Sequence, residues 1–473
     1  MIDVDEGVAE DSSGKGRRPV VWFEVEDFLR YFDHFPNPTG SQRVPFEIFV
    51  EASRLYGRQG RVRFCRHSVY TRRLMPIDFD AVKSAYVNPL GAGAPWKTVW
   101  GPAQLTGDFS TMAPVIIRNP RFFLTLSKTA VRDFIEAAVR PRRFEQLARP
   151  GDIVISPGAA WALPDYAKHM AAAKARYGLR LAVFIHDMIP IENAALVERR
   201  HAVQFRKWLK ETLPIADAVL AVSNYSRNAL IDFAAAAGWT VPRVEVIRLG
   251  GGFSSRPMVK GRTKIHLPRP YVLFVSTIEI RKNHGLLVRV WQRLIARHGA
   301  DAVPVLVFAG QIGWMVDDLF ADLAASGYLG GKIEHRPGLS DEELAEAYRG
   351  CLFTIFPSLC EGWGLPIAES LAHGKFCVAS NRTSIPEVGG DLIDYFDPSD
   401  AEDALAKVEK LLLEPGYLAA REARVRAEYR PPTWADCAHS VVLKLEPQTP
   451  NAKISPAGDL HERLTSAQPA RNP

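Results

Sequence analysis

Residues 351–398 read CLFTIFPSLCEGWGLPIAESLAHGKFCVASNRTSIPEVGGDLIDYFDP. The apolar run Leu352–Phe356 predicts a buried strand, and Pro357–Gly364 a loop carrying one carboxylate, Glu361. Pro366 opens a short helix where its missing N–H costs nothing, and Gly374 closes it. Phe376–Ala379 predicts a second buried strand. A strand–loop–helix–strand unit of this kind belongs to a parallel sheet.

Ligands of open parallel sheets bind outside the carboxyl ends of the strands. There the first N–H groups of the helix, near Gly364 and Leu365, lack partners and carry the positive end of the dipole, which suits a phosphate. Glu361 and Glu369 stand eight residues apart beside that site. Two carboxylates next to an anion must face something other than the anion. Sugar hydroxyls fit, because a carboxylate accepts two of them at once. The unit therefore suggests a ligand with a phosphate between two polyols, a nucleotide sugar.

The stretch resembles the E-x7-E segment of retaining glycosyltransferases of family 4, which have the GT-B fold. Glu361 and Glu369 match its glutamates, and PSLCEGWGLP and SIPEVGG match its flanks. Further upstream, Thr277-Ile278-Glu279-Ile280-Arg281-Lys282-Asn283 follows the predicted strand Tyr271–Ser276 and resembles the family's G-T-x-E-P-R-K-N. Ser276 and Ile280 depart from that pattern at the usual glycine and proline. His186-Asp187 ends the predicted strand Leu181–Ile185, and the H-D-x-I-P form resembles members that build bacterial surface polysaccharides, many of them mannosyltransferases. Gly40 and Arg43 fall after the predicted first strand, Val20–Val25, where the family has a glycine loop.

The resemblance implies an α/β protein of two Rossmann-like parallel-sheet domains facing across a cleft, with a C-terminal helix crossing back to the first. The expected organisation is a disordered 1–18, an acceptor-side domain over 19–252, a linker over 253–268, a nucleotide-sugar domain over 269–430, a crossover helix over 431–445 and a disordered tail over 446–473. It also implies retaining sugar transfer from a nucleotide sugar to a glycan, with mannose, GDP-mannose and a lipid-linked acceptor as the favoured identities. Glu361 and His186 are the expected catalytic residues. Lys282, Arg281, Glu369, Gly364, Leu365 and Gly40 are expected to bind the donor. With Lys282, Arg281 and a helix end holding the diphosphate, no metal or other cofactor is expected. A glycogen-synthase-like enzyme, a sugar epimerase and a non-catalytic scaffold could share such a fold.

Composition fits that class. The chain has 473 residues, enough for two cores, and is 47% hydrophobic and 24% charged. Its net charge is +6. Residues 118–149 hold eight Lys or Arg against three acids, with apolar positions at helical spacing. That segment fits either a membrane surface or a core helix with a basic face. No nucleic-acid motif accompanies it. Five unpatterned cysteines and an acidic, polar N-terminus point to a cytoplasmic protein, with the inner membrane face as its expected contact through 118–149. Asp78-Phe79-Asp80 is a D-x-D, a metal–nucleotide signature elsewhere; here no strand is expected before it.

Overall fold

The computed structural model describes residues 17–34, 38–68, 73–87, 141–251 and 265–446. The first half is a seven-stranded sheet of order β3-β2-β1-β4-β5-β6-β7. In chain order its elements are β1 (Val21–Glu24), α1 (Glu26–His34), α2 (Gly40–Ala52), β2 (Val62–His67), β3 (Leu74–Ile77), α3 (Phe79–Val87), β4 (Ile153–Ser156), β5 (Arg180–Ile185), α4 (Arg199–Thr212), β6 (Ala218–Ala221), α5 (Asn224–Ala236) and β7 (Arg243–Val246), with further helices between them, among them Tyr166–Tyr177. β1 is buried at all four positions, as are β4 and β6. Strands covered on both faces read as unbroken apolar runs, which is why these were visible in the sequence.

β3 corrects an expectation. Leu74–Ile77 is a strand, running antiparallel to β2 with Cys65 opposite Pro76. Pro76 hides it in a sequence reading, yet β3 lies at the sheet edge, where a missing ladder N–H is tolerated. Asp78 and Asp80 therefore do follow a strand, but they sit exposed at the start of α3. No group of His, Cys, Asp or Glu among the described residues could hold a metal ion.

The second half is a six-stranded, all-parallel sheet of order β10-β9-β8-β11-β12-β13. It comprises β8 (Tyr271–Val275), α6 (His284–His298), β9 (Val305–Ala309), β10 (Ile333–Arg336), α7 (Asp341–Gly350), β11 (Thr354–Phe356), α8 (Leu365–Ala372), β12 (Cys377–Ser380), α9 (Ile385–Gly389), β13 (Asp394–Phe396) and helices beyond. The Ser340 capping box at α7 is formed: its hydroxyl accepts the Glu343 N–H, and Glu343 accepts the Ser340 N–H.

The last helix, α10 (Trp434–Leu445), returns to the first half. Trp434, Ala438, Val441 and Val442 are buried among Val21, Phe49 and Leu220. The two passages of chain between the halves touch, because the Gly251 N–H donates to the Pro432 carbonyl at 3.0 Å. A Cβ on Gly250 would lie 2.6 Å from the Trp434 nitrogen, so glycine is required for that approach.

Of the basic segment, residues 118–140 lie outside the described residues, as do most of the expected linker and the two tails. Its end, Pro141–Leu147, is helical, and Phe144 is buried 4.6 Å from the Trp22 ring. All five cysteines are buried and unbridged. Among the described residues no helix is long and apolar enough to cross a membrane.

Candidate active site

The loop between β11 and α8 is held from three sides. Ser380 Oγ donates to the Ser358 carbonyl at 2.6 Å, and Ser384 Oγ donates to those of Glu361 and Trp363 at 2.9 and 3.0 Å. Thr383, at φ 53°, accepts the Glu361 N–H. From the other side, the Leu359 N–H donates to the Arg281 carbonyl, and Asn283 Nδ2 donates to the carbonyls of Pro357 and Pro398. These bonds place the Glu361 carboxylate beside the turn Ile280–Lys282 that follows β8.

Glu361 there meets two cations. Lys282 Nζ lies 2.5 Å from Oε1, and Arg281 Nη1 2.9 Å from Oε2. Burial by itself would push the Glu361 carboxyl up, but the two cations outweigh it and hold the group down at about 2. Burial and the neighbouring Arg281 pull the Lys282 ammonium down, with Glu361 and Glu279 opposing. Lys282 also sits 5.3 Å above the Phe356 ring. The sequence placed Glu361, Lys282 and Arg281 around one ligand; the structure brings all three together.

Glu369, on α8, is buried and bridges the halves. Its Oε1 accepts Arg43 Nη1 at 2.6 Å, and its Oε2 accepts the Tyr348 hydroxyl at 2.8 Å. Gly364 caps α8 at φ 129°, and Leu365 is its first residue. Leu365 packs against the first half's core, where its Cδ1 would lie 3.8 Å from a Cβ on Gly40. That is ordinary contact, so among the described atoms nothing demands glycine at position 40.

His186 follows β5 and faces the same loop. Nε2 lies 2.8 Å from the Pro157 carbonyl, which can only accept, so Nε2 carries the proton. Burial keeps the ring below its ordinary value, hence neutral, with Nδ1 left as an acceptor. Gly362 comes so close that a Cβ on it would overlap the His186 carbonyl oxygen and stand 2.8 Å from Asp187 Cβ. Asp187 is raised by burial and lowered by Arg281, so the cation cluster reaches across to the first half. A second bridge joins Glu387 to the start of α5: its carboxylate accepts the N–H groups of Asn224 and Tyr225 and Asn224 Nδ2, at 2.7 to 2.9 Å.

Behind His186 stands a half-buried carboxyl that sequence reasoning did not single out. Asp27 accepts the Ala159 N–H at 2.5 Å and Ser156 Oγ at 3.3 Å, and so fixes the loop that presents the Pro157 carbonyl. Burial, with the Glu24 charge, pushes Asp27 up to about 7 from 3.8. A carboxyl raised on folding holds its proton longer in the folded state, so stability falls as pH rises from about 4 through about 7. Asp27→Asn should flatten that fall, worth on the order of 3 kcal/mol. Denaturant midpoints across that interval read it, and an unchanged slope would remove Asp27 as the cause. Tyr348 carried no local signal either, whereas Arg43 and Asp187 each stood inside a quoted motif.

Comparison with known proteins agrees with this architecture. Residues 256–430 match the family described as glycosyl transferases group 1. The chain is 29% identical over 288 residues to O-antigen chain mannosyltransferase B of Escherichia coli, covering 59% of this chain and 74% of that protein. It is 28% identical over 268 residues to the serotype-specific mannosyltransferase WbdA of Escherichia coli, covering 54% of this chain and 32% of the relative, so it spans about a third of that longer protein. A D-inositol 3-phosphate glycosyltransferase of Rhodococcus opacus (strain B4) is 25% identical over 288 residues, covering 59% and 64% of the two chains. The fold matches the crystal structure of Anabaena Alr3699/HepE in complex with UDP and glucose at a TM-score of 0.55 and 14% identity, over 91% of this chain and 99% of that one. Two parallel-sheet halves, a crossing terminal helix and these similarities give the chain a GT-B fold, with a group 1 glycosyltransferase match over residues 256–430 and similarity to bacterial mannosyltransferases.

Proposed function

We propose that the chain transfers a hexose, with mannose from GDP-mannose as the favoured pair, from a nucleotide sugar to a lipid-linked glycan of a bacterial surface polysaccharide, with retention at the anomeric carbon and without a metal. The observation that supports this most is the joint placement of Lys282, Arg281 and Glu361 at the end of β8 and β11, against His186 from the other half. A departing nucleoside diphosphate gathers negative charge as the sugar takes oxocarbenium character. Fixed cations in a buried site stabilise that charge most strongly in the transition state.

In this reading Lys282 and Arg281 turn from Glu361 toward the diphosphate, and the start of α8 at Gly364 and Leu365 adds backbone N–H groups. Glu361 then accepts hydroxyls of the transferring sugar, and Glu369 those of the ribose. His186 accepts a donor or acceptor hydroxyl at Nδ1. Gly40 lies where α2 begins, opposite Leu365. The leaving phosphate oxygen takes the acceptor proton on the same face, which gives retention without a separate base.

Thermal shifts against GDP-, UDP- and dTDP-sugars test the donor, because only a ligand of the native state raises the midpoint: about 2.7 kcal/mol at a hundred times Kd. GDP-mannose should give the largest rise. Product formed under a chelator should keep its yield and the donor's anomeric configuration. A flat response to every donor, or activity lost to chelator and restored by magnesium, would overturn the reading.

A further inference from the structure

α4 carries five cations on its outer side, Arg199, Arg200, Arg206, Lys207 and Lys210, all exposed. Among the described residues none of them forms an ion pair. Several other surface cations are matched: Arg293 and Arg297 with Glu402, Arg382 with Asp397, Arg424 with Asp391 and Glu428; the exposed and unmatched ones, such as Arg58, Lys83 and Arg289, are not gathered on one helix face. The face keeps a net positive charge: Glu211 is the one acid on α4 against five cations, and Asp317 and Asp318, after Met315, open the following helix. Asp165 is bound to Lys168 at 2.8 Å and only feels Lys207, while Glu198 sits at the helix cap.

Val203 stands among these cations and is 64% exposed. Three residues before the helix, the Leu196 carbonyl receives Trp314 Nε1 from the other half, and that loop carries two further exposed apolar side chains, Ile312 and Met315. The inner side of α4 buries Phe205, Trp208 and Leu209, so the basic side is not a misread core face. The helix also adjoins the site. His201 packs 5.4 Å from the Trp161 ring, in the turn that follows the Pro157 carbonyl holding His186.

We propose that the outer face of α4, with Val203 and the Ile312–Met315 loop beside it, docks on an anionic phospholipid bilayer. Cations attract such a surface, and the apolar side chains among them enter its headgroup region. A nucleic acid would satisfy the charge but gives no role to Val203, Ile312 and Met315. Docking there sets the His186 edge of the protein toward the membrane. The inference goes beyond the donor chemistry, and its test does not depend on transfer.

The full chain should co-sediment with vesicles of phosphatidylcholine and phosphatidylglycerol, and far less with phosphatidylcholine alone. Each cation near an anionic surface contributes about a fivefold change in partitioning. The triple variant Arg199→Gln, Lys207→Gln, Lys210→Gln should therefore bind about a hundredfold less well. Val203→Gln should weaken binding while leaving its salt dependence in place. Melting midpoint and donor hydrolysis, read without vesicles, should match the parent. Undiminished vesicle binding by the triple variant, equal binding to neutral vesicles, or preference for a DNA duplex over vesicles would each overturn the proposal.

Discussion

Replacing Lys282 with methionine should lower turnover about 10²- to 10³-fold, the range expected when one fixed charge donor to a departing oxyanion is removed. Methionine keeps the length and the contact with Phe356 but removes the ammonium that touches Glu361. The loss should fall on the rate of transfer more than on donor affinity, because the charge on the diphosphate grows as the bond breaks. Stability should drop as well, by about 2 kcal/mol, less than for a wholly orphaned buried ion because Arg281 remains at 2.9 Å.

The same variant carries a pH signature. Glu361 has a folded value near 2 against an ordinary 4.5, so its contribution is complete above about 4.5 and is lost as pH falls toward 2. Without Lys282 the folded value rises, and acid unfolding should begin at higher pH. Midpoints measured between those limits show it. A Lys282→Met protein with parental turnover and acid tolerance would place the chemistry somewhere else.

Gly362→Ala should cost about 10²-fold in activity, the size expected when reacting groups are displaced by roughly 1 Å. The new methyl has no side-chain tip to push aside. It meets the His186 backbone oxygen and Asp187 Cβ, both anchored at the end of β5. Gly362 is not among the residues with positive φ, so its own loop can accept alanine without strain. The two halves must then part locally. Circular dichroism should be unchanged, while small-angle scattering shows a larger radius. Unaltered activity would mean that His186 and the Glu361 loop need not approach as described.

The sequence displayed the buried strands because each is apolar at successive positions and ends in a polar signature, as at Ile185-His186 and Phe356-Pro357. α10 was expected over 431–445 and runs Trp434–Leu445, because Pro431 and Pro432 break the chain and Thr433 caps the helix after them. Contacts made only by folding were not legible. Arg43 and Glu369 lie 326 residues apart, and Tyr348 reaches Glu369 from α7, whose capping box marks where the helix starts but not what Tyr348 touches. β3 was lost to Pro76, and Asp27 to its ordinary setting at a helix start. The proximity of Glu361, Lys282 and Arg281 was legible because the turn and loop that carry them each have a recognisable form.

The two chain passages bound together at Gly251 and Pro432 have a mechanical meaning. Lobes joined by one thread can drift in any direction, but lobes joined by two threads tied at a single knot can only swing about it. The Arg43–Glu369 and Glu387–Asn224 contacts then behave as the jaws of one clasp, making or breaking in concert as the swing proceeds.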